Sequence, residues 1–178
     1  MALLQAAITA WVMTELARVE VPNTRVWRLV AFAFVLCLFT GLGWYVGQIE
    51  PDCLTAVAAI ALYLLTFRFV ALDGSRPIIL VVIATVAIAS HPAHLGVAAG
   101  LIAAVAFLRL TSVALPRLAL PRPKVSLAVA SFLFAIALVL QAHHELTGEY
   151  FVSKSGPVFA FARMLQDGLI KRDLDEVL

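Results

Sequence analysis

Residues Ile78 to Leu108 read IILVVIATVAIA (Ile78–Ala89), SHPAHL (Ser90–Leu95) and GVAAGLIAAVAFL (Gly96–Leu108). Two apolar runs flank one short polar hinge that carries two of the chain's four histidines. Neither run alternates with period two, so a half-buried strand is excluded. Neither keeps a polar stripe at helical spacing, so a surface helix of a soluble domain is excluded too. A pair of helices joined by a tight turn is the reading that remains, and both helices are expected to be short.

The same texture extends along the chain. Of its 178 residues, 63% are hydrophobic and 13% charged, with a mean hydropathy of +1.00. Soluble domains carry about twice that charge. Further apolar blocks run from Ala2 to Met13, Val26 to Val46, Leu54 to Leu72 and Val125 to Ala142. The expected fold is all-α: a polytopic transmembrane bundle of about five to six spans. The first block is about 18 Å long as a helix. It has neither the basic start nor the small-residue cleavage pattern of a secretory signal, and reads either as a frayed entry helix or as the tail of a helix that begins outside this chain. Trp44 and Tyr45 close the second block as interfacial aromatics.

Charge orients the stack. Arg18, Arg25, Arg28, Arg68, Arg76, Arg109, Arg117, Arg122 and Lys124 make nine of the 13 basic residues, and they fall in three alternate loops. GQIEPDC (Gly47–Cys53) and SHPAH (Ser90–His94), between them, contain no Lys or Arg. The positive-inside rule puts the nine in the cytoplasm and the bare loops outside. Residues 1–142 then form a transmembrane domain and residues 143–178 an extracytoplasmic tail. In that tail Gly156-Pro157 starts a helix whose Val158, Phe161, Leu165 and Leu169 make an apolar stripe, suited to lying on a membrane surface. The dispersed basic residues imply no nucleic-acid partner. The expected partner is the lipid bilayer, with LPRLALPRPK (Leu115–Lys124) as a headgroup-binding connector.

The alternation gathers Glu50, Asp52, His91, His94, His143, His144, Glu145 and Tyr150 on one face. His91 and His94, at i and i+3, share a side if the hinge opens a helix, and imidazole pairs ligate transition metals; His143-His144-Glu145 offers further donors. Neither segment has a zinc-enzyme signature such as H-E-x-x-H, so the preferred reading is an interfacial turn and no metal site is expected, with Pro92 at a first helical position and the imidazoles hydrogen-bonding headgroups or a phosphate. Asp52 reads either as a catalytic or cation-binding carboxylate or as the N-cap of the helix that follows. Cys37 and Cys53 are expected to be unpaired. No central acidic residue stands inside the apolar blocks, which argues against an ion transporter.

Three stretches carry a family resemblance: GWYVGQIEPDCLTAVAAIALYLL (Gly43–Leu65), ASHPAHLGVAAGLIAA (Ala89–Ala104) and SKSGPVFAFARMLQDGLIKRDLDE (Ser153–Glu176). In this order they resemble the later part of a group of bacterial polytopic membrane proteins. Those are in turn similar to lipid-linked-sugar glycosyltransferases of the multi-spanning, GT-C type. The resemblance runs from about Leu29 to the end of the chain.

It implies a bacterial inner-membrane protein with an extracytoplasmic site and a polyprenyl-phosphate sugar as donor. In that class an Asp or Glu of the first outer loop does the catalysis; the Glu50-Pro51-Asp52 loop matches a later one, so a shortened member is expected. On this reading Asp52 and His94 are the catalytic candidates, with a divalent cation possible at Asp52 and no other cofactor. Glu50, His91, His143, His144 and Arg163 are the substrate-binding candidates. The alternative function is a small non-catalytic subunit packed on a larger membrane protein, for which the small residues of GVAAGLIAA allow close helix contact.

Overall fold

The computed structural model describes residues 2–23, 25–41, 52–118, 122–154 and 156–168. Among them are seven α-helices and no strand: α1 (Ala2–Glu20), α2 (Val26–Phe39), α3 (Cys53–Phe67), α4 (Arg76–Ala89), α5 (Pro92–Ala114), α6 (Ser126–Thr147) and α7 (Gly156–Gln166). Single 3₁₀ turns follow α3, at Phe69–Ala71, and α5, at Pro116–Leu118. The chain forms two compact units, Met1–Leu138 and Val139–Leu178.

In the first unit α3 is the central element, packed chiefly on α4 and also on α1 and α5. Its Val57, Ala61, Leu64 and Leu65 are essentially inaccessible, as are Leu80, Ala84, Ala87 and Ile88 of α4. The α4 set recurs at i, i+4, i+7 and i+8, one stripe of a straight helix. Ala98 of α5 and Ala128 and Ala135 of α6 complete a core that mixes leucines with alanines. Other large apolar side chains point outward: Val82 and Val86 of α4, Phe107 and Leu110 of α5, Leu133 and Phe134 of α6. Among the described residues of α2 none is buried, and Trp27, Val30, Phe32, Phe34, Leu38 and Phe39 are all exposed.

Helix lengths depart from the sequence reading at several points. The first apolar block ends at Met13, yet α1 continues to Glu20. Ile8, Trp11, Val12, Leu16 and Val19 face the core on one stripe, and Glu15 lies buried on the same stripe. The helix stops where Pro22 disfavours helical geometry at Val21 and Asn23 turns to φ 69°.

The α5 helix, expected to be short, runs for 23 residues. Arg109 ends the apolar run but not the helix. Its guanidinium donates to the Pro123 carbonyl at 2.6 Å, and the Ser112 hydroxyl bonds back to the Arg109 carbonyl at 2.7 Å. The α2 helix ends at Phe39, short of the expected Val46, and residues 42–51, with Trp44, Tyr45 and Glu50, lie outside the described residues. Two helices, α5 and α6, with mean hydropathies of 2.0 and 1.9, are long and apolar enough to cross a membrane. The helices α2, α3 and α4 are apolar but only 14, 15 and 14 residues long.

The packing assigns the two ends of the first unit different chemistry. At one end the last turn of α1 meets the end of α3 and the start of α4. Arg68 holds Glu20 there, and buried Glu15 pairs with Arg18 at 2.9 Å and Arg76 at 3.5 Å. The Lys124 amide donates to the Thr66 carbonyl at 2.8 Å, and its ammonium lies 3.9 Å from the Phe69 ring centre, bringing the α5–α6 connector to the same end. At the opposite end the start of α3, the end of α4 and the start of α5 converge on SHPAHL.

In the second unit α6 is closed by Gly148, at φ 74°, whose N–H caps the His144 carbonyl at 2.7 Å. Gly156-Pro157 opens α7 as expected, but Gly168 lies beyond its end rather than within it, again at positive φ. The apolar face of α7 is uncovered, with Val158, Phe161 and Leu165 exposed; Leu169 is outside the described residues.

Candidate functional site

Pro92 is the first residue of α5, where a missing N–H costs nothing and the ring presets φ. This places His91 at the N-cap and His94 in the first turn, so the two imidazoles do share a side, with ring centres 5.5 Å apart. His91 caps weakly: its Nδ1 accepts from the Ala93 amide at 3.3 Å.

His94 is 3% exposed. Its Nδ1 lies 2.8 Å from the Ala87 carbonyl oxygen, which belongs to the last turn of α4 and has no partner within that helix. A carbonyl only accepts, so Nδ1 carries the proton. The Ser90 hydroxyl donates to the same carbonyl at 2.8 Å and stands 3.2 Å from Nδ1. The tautomer of His94 is therefore set by the end of α4, and the lone pair of neutral His94 is on Nε2.

That lone pair faces α3. The Thr55 hydroxyl is 2.7 Å from Nε2, and Asp52 Oδ1 is 3.8 Å from it. Asp52 does occupy the N-cap position of α3, but its side chain makes no cap hydrogen bond. The carboxylate is directed across to His94 instead, 70% exposed on the solvent side. One potential donor atom from each of Asp52, His91 and His94 lies within 4.8 Å of the others. Among the described residues, these three form a group that could hold a metal ion. Below them lies a slight apolar depression between α3 and α5, too small to admit a water molecule, lined by Ala58, Ala59, Leu62, Val97, Ala98 and Leu101, with Thr55 and His94 at its head.

Three candidates from the sequence, Asp52, His91 and His94, are thus brought together from opposite sides of a helix junction. His143, His144 and Arg163 belong to the second unit and have local partners. The His143 ring stacks on Phe151 at 4.2 Å and its Nδ1 donates to the Phe151 carbonyl at 2.7 Å; His144 stacks on Tyr150 at 4.1 Å. Arg163 pairs with Asp167 at 3.0 Å, and Lys154 pairs with Glu149, which holds that carboxyl below the ordinary carboxylate range. Cys37 and Cys53 are free.

Sequence reasoning missed Thr55, a hydroxyl in an otherwise apolar turn whose partner is 39 residues away. It also missed the ionic network of Glu15, Glu20, Tyr63, Arg68 and Arg76 at the other end. There Tyr63 and Arg68 together hold the Glu20 carboxyl below its usual range. Comparison with known protein families, curated proteins and solved structures finds no match to this chain.

Proposed function

We propose that the chain is a multi-pass membrane protein of the bacterial inner membrane, with its basic loops cytoplasmic. On this reading the α3–α5 junction on the outer side receives a polyprenyl-phosphate-linked sugar. The observation that carries the proposal is a buried imidazole of fixed tautomer at a polar helix junction above apolar faces of α3 and α5. Those faces suit contact with a prenyl chain.

Two helix N-termini, of α3 and α5, meet there and favour an anion. The outward-facing large apolar residues, with alanines at several buried helix contacts, agree with a lipid surround. In the transfer itself Asp52 takes the proton of the acceptor hydroxyl as its oxygen bonds the anomeric carbon, and the carrier phosphate leaves with the bonding electrons.

The test is sugar transfer by the purified full chain in proteoliposomes, with a polyprenyl-phosphate sugar as donor. Product made by the unaltered chain and lost in Asp52→Asn and His94→Ala is the expected result. Equal product in both variants sinks the site assignment.

A second reading is favoured by α2, which buries no described side chain and exposes all of them but half-buried Leu29 and Leu36. It makes the chain a non-catalytic subunit that lends helices to a larger membrane protein. Stoichiometric co-purification with such a partner, and no transfer activity by the chain alone, supports the subunit over the transferase.

A further inference from the structure

We propose that Asp52, His91 and His94 bind a divalent transition metal of the zinc type. The inference deepens the reading of the same site and rests on it only for the ion's purpose, which is to supply positive charge to a phosphate. The need is visible in the hydrogen bonds. With Nδ1 of His94 donating to the Ala87 carbonyl, neutral His94 turns a lone pair toward the junction. Asp52 turns a carboxylate toward it from the other side. A lone pair and a carboxylate both repel phosphate, whereas both are ligands for a cation.

The donor set fits the class of ion. Imidazole nitrogens and a carboxylate suit zinc and its neighbours, and three protein ligands leave a coordination position open to a fourth group. Bonds of about 2.0–2.2 Å set tetrahedral donors about 3.3 Å apart. The 4.8 Å grouping therefore has to contract. Asp52 is 70% exposed and free to swing in, and His91 gives up only its 3.3 Å cap bond.

His94 is the fixed member. A backbone carbonyl on one ring nitrogen with the other nitrogen directed at the site is the arrangement that orients metal-bound histidines. Ser90, on the same carbonyl, is a positioning residue. The competitor is Thr55, whose hydroxyl lies 2.7 Å from Nε2 and can donate to its lone pair.

That competition makes the proposal testable without lipid or activity. The full chain in detergent is stripped with a chelator, then titrated with Zn²⁺ by calorimetry and with Co²⁺ by visible absorption. About one ion per chain is expected. Asp52→Asn, a change on an exposed side chain that spares the fold, weakens binding at least about 10-fold, and Ser90→Ala weakens it about 10-fold. His94→Ala abolishes it, with circular dichroism checking the fold.

Thr55→Val, by freeing the lone pair, tightens binding about 10-fold, a change of about 1.4 kcal/mol. A folded chain that takes up no ion overturns the proposal. So does binding unaffected by His94→Ala and Asp52→Asn, and so does weaker binding in Thr55→Val. Ion binding with no sugar transfer leaves the metal site standing and overturns only the carrier reading.

Discussion

Arg68 grips Glu20 through two parallel hydrogen bonds, Nε to Oε1 at 2.7 Å and Nη2 to Oε2 at 2.6 Å, joining the end of α1 to the end of α3. The Tyr63 hydroxyl donates to the same Oε1 at 2.7 Å. A fork-to-fork pair of this kind fixes orientation as well as distance, so it sets the register between the two helices.

The pair makes stability depend on pH in a stated direction. Hydrogen bonds from Arg68 and Tyr63 lower the folded-state pKa of Glu20 from its ordinary 4.5. A depressed carboxylate contributes stability that is fully present above the unfolded-state value and is lost as pH falls through the folded-state value. The thermal midpoint of the purified chain is therefore expected to fall on acidification from about pH 5 to about pH 3, and Glu20→Gln is expected to flatten that fall. Identical slopes for the two proteins across this window would show that the contact is idle.

The network at that end was not legible in the sequence, and the reason is physical. Glu20 and Arg68 are 48 residues apart, and a charged residue beyond an apolar block or in its last turn reads as solvated until the fold shows its partner. Thr14 to Glu20 was lost for the same reason: hydropathy stops at the first polar residue, while the helix continues because Glu15 turns inward to Arg18 and Arg76. What was legible was local. The i, i+3 spacing at Pro92 brought His91 and His94 to one side, as the spacing alone required. Arg18, Arg68, Arg76 and Lys124, all from the basic loops, do meet at one end of the first unit. Thr55 was illegible because nothing near it marks one hydroxyl as special; only the packing of α3 on α5 gives it an imidazole.

The alanines at buried helix contacts make their own prediction. Ala84 of α4 is fully buried while Val82, two residues away, is more than half exposed. Ala84→Leu adds three carbons where the neighbours are already closed, which costs about 1–3 kcal/mol. Val82→Leu adds volume to an outward face and is expected to be neutral within about 0.5 kcal/mol. Reversible unfolding in detergent, followed by tryptophan fluorescence, separates the two. Equal effects would mean that the Ala84 face is not a helix contact.

Gly148 tests the cap that ends α6. Its φ of 74° lies in the left-handed region, and a Cβ added there would meet nothing within 4 Å. The penalty for Gly148→Ala is therefore backbone strain alone, about 1 kcal/mol. Asn tolerates left-handed geometry better, so Gly148→Asn is expected to lose roughly half as much. The turn at Gly148 carries Tyr150 and Phe151 back over His144 and His143, with ring centres at 4.1 and 4.2 Å. Loosening the cap should thus appear in the imidazole proton resonances before it appears in helix content. Gly148→Ala is expected to shift both histidines toward solvent-like positions, with Gly148→Asn in between. Unshifted imidazoles in Gly148→Ala would show that the stacks hold the turn, rather than the turn holding the stacks.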